Sequence, residues 1–415
     1  MNLLPATPSS AHAPKPAASE LPRGLLGPDA GREPREDAAR RAPGPEEAKR
    51  WMLEIAFPYW ARHGIDYRAG GVHEALQFDG RPAPHPAKRL RVLARQIYCF
   101  SQARMLGWDG DADGILRHCL DTLTSTGWHR DGGWIHLFNP DGSVRDEKRD
   151  TYDQCFVLFA LAWLHRATGW PEARQWSDRT LDFMYDTLAD HAHGGFFEDD
   201  ARSLPRRANP HMHFLEAMLA WYEATGEEHY LDRAHAMVTL FERHFFDAGN
   251  STLSEYFGCD WTRLRAEAAD RRVEPGHHYE WAWLLSRFAA YRDSPPVEAK
   301  ARQLFAIAAA FGHHVTTGAA ANGMQPDGSG VETTARLWPQ TEALKAAITF
   351  EKKGLVVAAE LRQRMVSVLF TRYLDRPVAG GWYDAIDMQG RVMAPDMPSS
   401  SFYHVVCALT EYSAA

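Results

Sequence analysis

Residues 131–142 read DGGWIHLFNPDG, and the two glycine markers in this stretch set the organisation of the chain. Gly132-Gly133 stands before an aromatic residue and Asp141-Gly142 closes the stretch, which is the pattern of a small hairpin bounded by turns. Gly70-Gly71-Val72 lies 62 residues before it and Gly194-Gly195-Phe196 lies 62 residues after it. Gly380-Gly381-Trp382 comes 186 further on, three more steps of 62. The second marker keeps the same step: Gly80 to Gly142 is 62, Gly328 to Gly390 is 62, and Gly142 to Gly328 is 186. On this reading the fourth unit has lost both markers and the fifth has lost the first.

Between the markers the apolar residues fall at helical spacing. One helix is expected over 45–63, with Trp51, Leu53, Ile55, Phe57 and Trp60 apolar and Pro58 a candidate kink; another is expected over 87–106. Six units of two helices fill the length. A helix pair cannot bury its second face alone, so neighbours must stack on it. Six pairs can close into a ring, and the expected fold is all-α, an (α/α)6 barrel with short β-hairpins capping one end. The competing architecture is an open superhelix of helix pairs, for which 62 residues is a long unit.

Composition narrows the function. With 45% hydrophobic and 12% aromatic residues the chain is globular, and a net charge of -8 argues against a nucleic-acid partner. No apolar run is long enough to suggest a membrane span. The five cysteines are odd in number and show no CxxC spacing, as expected of buried thiols in a reducing, cytoplasmic setting. Nine of the 25 prolines fall in the first 45 residues, so 1–44 is expected to be a disordered tail without a signal-peptide core, and 45–415 one domain. Trp176 and other outer-helix aromatics are candidates for core or for a homodimer interface.

Chemistry gathers near the helix that follows each hairpin. Glu274 to Leu285 reads EPGHHYEWAWLL, a helix start in which His277 and Glu280 share a face. Asn209 to Glu216 repeats the pairing with His213 and Glu216. From Asp153 the steps to His213, His277, Gln340 and His404 are 60, 64, 63 and 64 residues, so these groups track the repeat and should converge on the axis. Arg95 sits in an apolar helix and needs a partner if buried. A carboxylate beside an imidazole fixes its tautomer and raises its basicity, which suits proton transfer near neutral pH. A satisfied core histidine is the bland alternative for any one pair. A zinc site assembled from separate helices is the second, although HExxH is absent. Glycoside hydrolysis by paired carboxylates is the third.

Arg-Gln-Ile-Tyr at 95–98, Tyr-Asp-Gln-Cys-Phe at 152–156, Asn-Pro-His-Met-His at 209–213, Pro-Gly-His at 275–277, Trp-Pro-Gln-Thr-Glu at 338–342 and Ser-Phe-Tyr-His at 401–404 together resemble the N-acylglucosamine 2-epimerase superfamily, which includes mannose isomerases and cellobiose 2-epimerases. The resemblance covers about residue 45 to the end. It implies an (α/α)6 barrel that acts on a small sugar and needs no metal or other cofactor. By the same resemblance His277 and His404 are expected to move the C2 proton, and His213 to help open the sugar ring. Arg95 is expected beside the reacting oxygens and Glu280 as the partner in the His277 helix. Tyr152, Asp153, Asn209, Glu216, Trp338 and Gln340 are expected to bind substrate. Gln154 departs from the family, where several members have histidine. The expected activity is aldose–ketose isomerisation of the mannose-to-fructose type through an enediolate, with a 2-epimerase as runner-up and a non-catalytic sugar-binding protein as the reading from another class. Arg89, Arg91, Arg206, Arg207 and Lys345 are available to a phosphorylated substrate, or are solvated helix residues.

Overall fold

The computed structural model describes residues 42–264 and 272–415; the expected tail lies outside them except for its last three residues. The first outer helix is in two pieces, α1 (Pro45–Trp51) and α2 (Phe57–His63), joined by the π-turn Met52–Ala56. The expected kink is this turn, just ahead of Pro58, whose ring cannot continue the ladder behind it. Helices then alternate between an inner and an outer layer: α3 (Leu90–Leu106), α4 (Ala112–Thr126), α5 (Thr151–Thr168), α6 (Pro171–Phe183), α7 (Ala208–Thr225) and α8 (Glu228–Leu240). The second half continues with α9 (Pro275–Arg292), α10 (Pro295–Phe311), α11 (Leu337–Lys352), α12 (Val356–Val368) and α13 (Ser400–Ser413).

Burial separates the layers. Inner α7 buries 13 of its 18 residues, whereas outer α4 buries six of its 15, one stripe against the inner ring. The inner helices α3, α5, α7, α9, α11 and α13 pack in that order, and α13 returns to α3 and α1 to close the barrel. Trp176 is half-buried and packs on the core against Trp128 and Trp134.

Short strands stitch the units together at the end where the inner helices begin. The segment before each inner helix pairs with the hairpin of the next unit: Lys88–Arg89 with Leu137–Phe138, Arg206–Arg207 with Tyr256–Phe257, and Thr334–Arg336 with Ala385–Asp387. Single bridges Asp150 to Asp199 and Val273 to Met324 do the same for the second and fourth junctions. The last junction, Met397–Pro398 with Ala75–Leu76, joins the sixth unit to the first. That antiparallel pair makes the fold a ring rather than an open array.

The fourth unit keeps its turns without their glycines. Ser251 (φ 55°) stands where the other units have Gly70, Gly132, Gly194, Gly318 and Gly380, and Trp261 (φ 64°) stands where the Asp-Gly marker would be. Both hold the left-handed conformation that glycine adopts freely. Trp261 is retained by packing, since it is buried with the Arg206 guanidinium 3.6 Å from its ring centre.

Candidate active site

A cavity of about 520 Å³ opens on the barrel axis at the end where the inner helices start. Residues four apart share one helix face, and the inner helices present their second and sixth residues to it. The second residues Arg91, Tyr152, Asn209, Trp338 and Ser401 form its upper ring, and the sixth residues Arg95, His213 and Glu280 its floor. In α9 the second residue is Gly276, and a Cβ there would meet the Trp338 ring at 2.4 Å. Glycine thus admits the indole, which lies 5.1 Å from the His277 ring and 5.9 Å from the His404 ring, centre to centre.

Each of the three imidazoles engages a carboxylate through Nδ1, which directs Nε2 at the cavity. His213 Nδ1 donates to Glu216 Oε2 (2.9 Å), and the Tyr403 hydroxyl donates to Glu216 Oε1 (2.5 Å). His404 Nδ1 donates to Glu342 Oε1 (2.9 Å), whose Oε2 forms an ion pair with Lys345 Nζ at 2.6 Å. Lys345 is fully buried, its ammonium 3.8 Å from the centre of the Trp283 ring. His277 Nδ1 donates to Glu255 Oε1 (3.1 Å), with Glu274 Oε2 at 3.8 Å.

The His213–Glu216 pair is therefore the expected one, but the His277–Glu280 pair is not formed. Helical side chains lean toward the N-terminus, so His277 reaches back over Glu274 to the hairpin residue Glu255. Glu280 lies one turn deeper, with Oε1 3.9 Å from His213 Nδ1. Glu255 was hidden because the glycines that mark its unit are missing. Counting four residues on from the turn residue of each unit gives Glu74, His136, Glu198, Glu255, Asn322 and Asp384, and that count would have found it.

The charge states of these groups diverge. Burial disfavours the His277 imidazolium, yet Glu255 and Glu274 outweigh it and raise its pKa to about 10. His404 is pushed the other way, well below the ordinary imidazole value, by burial and by the nearby Arg95 and Lys345 cations. His213 is lowered by burial against the pull of Glu216, while Glu216, despite its burial, is held at about 2 by His213. Burial and the neighbouring Glu342 and Glu216 carboxyls drive Glu280 well up, which favours its protonated form. The axis thus carries one imidazole pushed toward its cation, two pushed toward neutrality and one carboxyl pushed toward its acid form.

Arg95 finds partners in the Tyr152 hydroxyl (3.0 Å) and the Ser400 carbonyl (3.3 Å), with its guanidinium over the Phe156 and Tyr403 rings. Its Nε, Asn209 Oδ1 and Glu280 Oε1 are buried polar atoms of the cavity residues without a protein partner. A polyhydroxylated ligand would satisfy all three. His213, Glu216 and Glu280 also place three donor atoms within 4.8 Å of one another, but His213 and Glu216 spend theirs on each other and on Tyr403.

Three expected substrate contacts do not reach the cavity. Asp153 is fully buried, one oxygen on Arg91 Nη1 (2.9 Å) and the other on His136. Gln340 is the fourth residue of α11 and clamps the hairpin backbone, accepting from Ala320 N–H (2.6 Å) and donating to the Ala320 carbonyl (2.7 Å). The same place in α5, α7 and α9 holds Gln154, His211 and His278, which accept from the N–H groups of Trp134, Phe196 and Leu253. Gln154 therefore does a structural task that histidines do in the neighbouring units. The step of about 60 residues was real, but its register slipped by one to three residues between helices. Glu216 lies beneath His213 rather than on the cavity wall.

The sequence pattern of N-acylglucosamine 2-epimerase matches residues 70–408. The chain is 37% identical over 376 residues to "Mannose-6-phosphate isomerase" of Rhizobium meliloti (strain 1021), covering 87% of this chain and 94% of that protein. It is 28% identical over 365 residues to "D-mannose isomerase" of Thermobifida fusca, covering 81% and 89% respectively. Among solved structures, cellobiose 2-epimerase from Spirochaeta thermophila DSM 6192 superposes with a TM-score of 0.79 at 23% identity, covering 89% of this chain and 96% of that one.

Proposed function

The chain belongs to the N-acylglucosamine 2-epimerase family and is a sugar isomerase or epimerase, and from that premise we propose that it is an aldose–ketose isomerase converting a mannose-type aldose into the fructose-type ketose. The observation that carries this choice is the unlike surroundings of its two histidines: His277 lies against two carboxylates, Glu255 and Glu274, and His404 against Glu342, which is itself paired with Lys345. A 2-epimerase must pass the proton from one face of the sugar to the other, so its two bases exchange protonation states at every turnover. Glu255 and Glu274 raise the pKa of His277, while burial, helped by Arg95 and Lys345, lowers that of His404, and that asymmetry resists the exchange. An isomerase needs no exchange, because one base takes the C2 proton and returns it to C1.

In this mechanism the closed sugar is first opened, His213 Nε2 taking the proton of the anomeric hydroxyl while neutral Glu280 protonates the ring oxygen. The C1 carbonyl then acidifies the C2 proton. His404 Nε2 removes it, and the negative charge that develops on the C1 oxygen is met by the Arg95 guanidinium and the His277 imidazolium. His277 protonates O1, and as His404 returns the carbon-bound proton to C1 the O2 hydroxyl gives its proton back to His277, so that C2 becomes the carbonyl and the ketose forms. Trp338, between the two histidines, excludes water from the enediolate.

Incubation with mannose or mannose 6-phosphate, followed by proton NMR, tests the reading: the ketose is expected as the first product, and glucose or its phosphate without ketose would make the protein an epimerase. The charge assignment gives a second expectation. The catalytic rate should stay level from mildly acidic pH to an alkaline limb near pH 10, where His277 loses its proton. Glu255→Gln removes the carboxylate nearest His277, so the imidazolium is less favoured and that limb should move down by at least about one pH unit. An unmoved limb would remove His277 from the role of acid.

A further inference from the structure

Resting on the isomerase reading, we propose that the cavity wall opposite the catalytic histidines is a phosphate site built by Arg91, Lys148 and Arg207, and that the substrate is a hexose phosphorylated at the end remote from its reacting carbons. The argument begins with the order of units around the ring. His277, Trp338 and His404 come from the fourth, fifth and sixth inner helices, which occupy one half. Arg91 opens the first inner helix, Lys148 precedes the second and Arg207 precedes the third, and all three line the same cavity from the other half. A sugar with C1 and C2 between the histidines therefore points its far end at these three cations.

Two of the cations flank Tyr152, and the third lies beside the N-cap of the same helix. The Arg91 and Arg207 guanidinium carbons lie 5.4 and 5.9 Å from the centre of the Tyr152 ring, and Lys148 reaches Asp150, the N-cap of the same helix, at 3.7 Å. Tyr152 in turn bonds to Arg95 and packs 5.0 Å from the His213 ring, so the wall joins the catalytic floor without a gap.

Each cation has a carboxylate partner, and the layering decides what those pairs do. Side-chain exposure is 19% for Arg91, 33% for Lys148 and 37% for Arg207, but 0% for Asp153, 1% for Asp199, 6% for Asp150 and 9% for Glu198. Asp153, Asp199 and Glu198 hold the cations from behind, while Asp150 lines the cavity beside Lys148 and Arg207. Burial pushes Asp150 and Glu198 up. A phosphate offers three terminal oxygens to three cationic donors, and arginine matches that geometry in pairs. Of the remaining cavity arginines, Arg95 belongs to the floor, Arg89 is paired with Glu74, and Arg336 is paired with Asp384, which bonds to Ser401 on the helix of His404. Arg206 is committed to Asp190 and Lys345 to Glu342, and neither reaches the cavity.

The test measures kcat/KM for mannose 6-phosphate and for mannose, takes their ratio, and repeats both in Lys148→Gln and Arg207→Gln. Arg207→Gln strips a buried glutamate of its partner and risks poor folding; Lys148 sits farther from its carboxylates and gives the safer variant. The wild-type ratio should exceed one by about 10- to 100-fold, and each substitution should lower it by about 10-fold or more. Inorganic phosphate should inhibit competitively, and less well in both variants. A wild-type ratio near one overturns the phosphate site while leaving the isomerase reading in place. If neither sugar is isomerised, the isomerase reading fails, and calorimetry with inorganic phosphate alone decides the site: binding weakened in both variants upholds it, and equal or absent binding overturns it.

Discussion

His404→Gln is expected to lower kcat by about 10²- to 10⁴-fold, the span that a positioned general base supplies, while KM changes little. His404 is the only one of the three cavity imidazoles whose surroundings push it far toward neutrality while its Nδ1 is tied to a carboxylate. Glutamine retains a polar end of similar length against Glu342 but offers no basic nitrogen to C2. Substrate is held by Arg95, Asn209, Glu280, Trp338 and the cationic wall of Arg91, Lys148 and Arg207, so affinity should survive. Steady-state kinetics with an unfolding curve for each protein checks the point. A variant with native stability and more than about a tenth of the wild-type kcat would take the C2 proton away from His404.

Lys345→Met is expected to lower stability by about 3–5 kcal/mol, the usual result of removing one partner of a buried ion pair. The ammonium is fully buried under the floor of the cavity, paired with Glu342 and close enough to Glu280 and Glu216 to feel both carboxyls. Without it Glu342 must either keep an uncompensated charge or take a proton. Glu342→Gln with Lys345→Met should recover most of the lost stability, because a neutral pair replaces a broken one. Activity should not recover with it: His404 would keep a hydrogen bond to the amide but lose the charge that stabilises its imidazolium while it holds the substrate's proton. Urea midpoints and kcat on the two variants separate these effects. A Lys345→Met protein as stable as wild type would contradict the ion pair, and a double variant with wild-type kcat would show that the Glu342 charge is irrelevant to His404.

Much of the barrel was legible because its turns need residues with positive φ, and glycine supplies that conformation most cheaply. Where packing supplies it instead, as at Ser251 and Trp261, the marker disappears while the turn remains. The pair His213–Glu216 was legible for the same local reason, both residues lying on one helix face. The partner of His277 is 22 residues away on a hairpin and that of His404 is 62 away on the neighbouring inner helix; no helical spacing reveals either. Gln340 shows the opposite failure. A polar residue recurring at the repeat length looked like a site residue, yet the groups with the strictest recurrence, Gln154, His211, His278 and Gln340, serve the hairpins. The cavity itself is built from residues that differ between units, as a site for an asymmetric sugar requires.

Isomerisation run in heavy water with the wild-type enzyme tests the central claim most directly, that an imidazole carries the proton between C2 and C1. With the ketose isolated after many turnovers, NMR should find deuterium at C1, and the recovered aldose should carry deuterium at C2, because the proton held on His404 exchanges with solvent. Ketose that forms at the full rate with protium retained at C1, and aldose without label at C2, would mean that hydrogen moves directly between the carbons and that His404 never holds it.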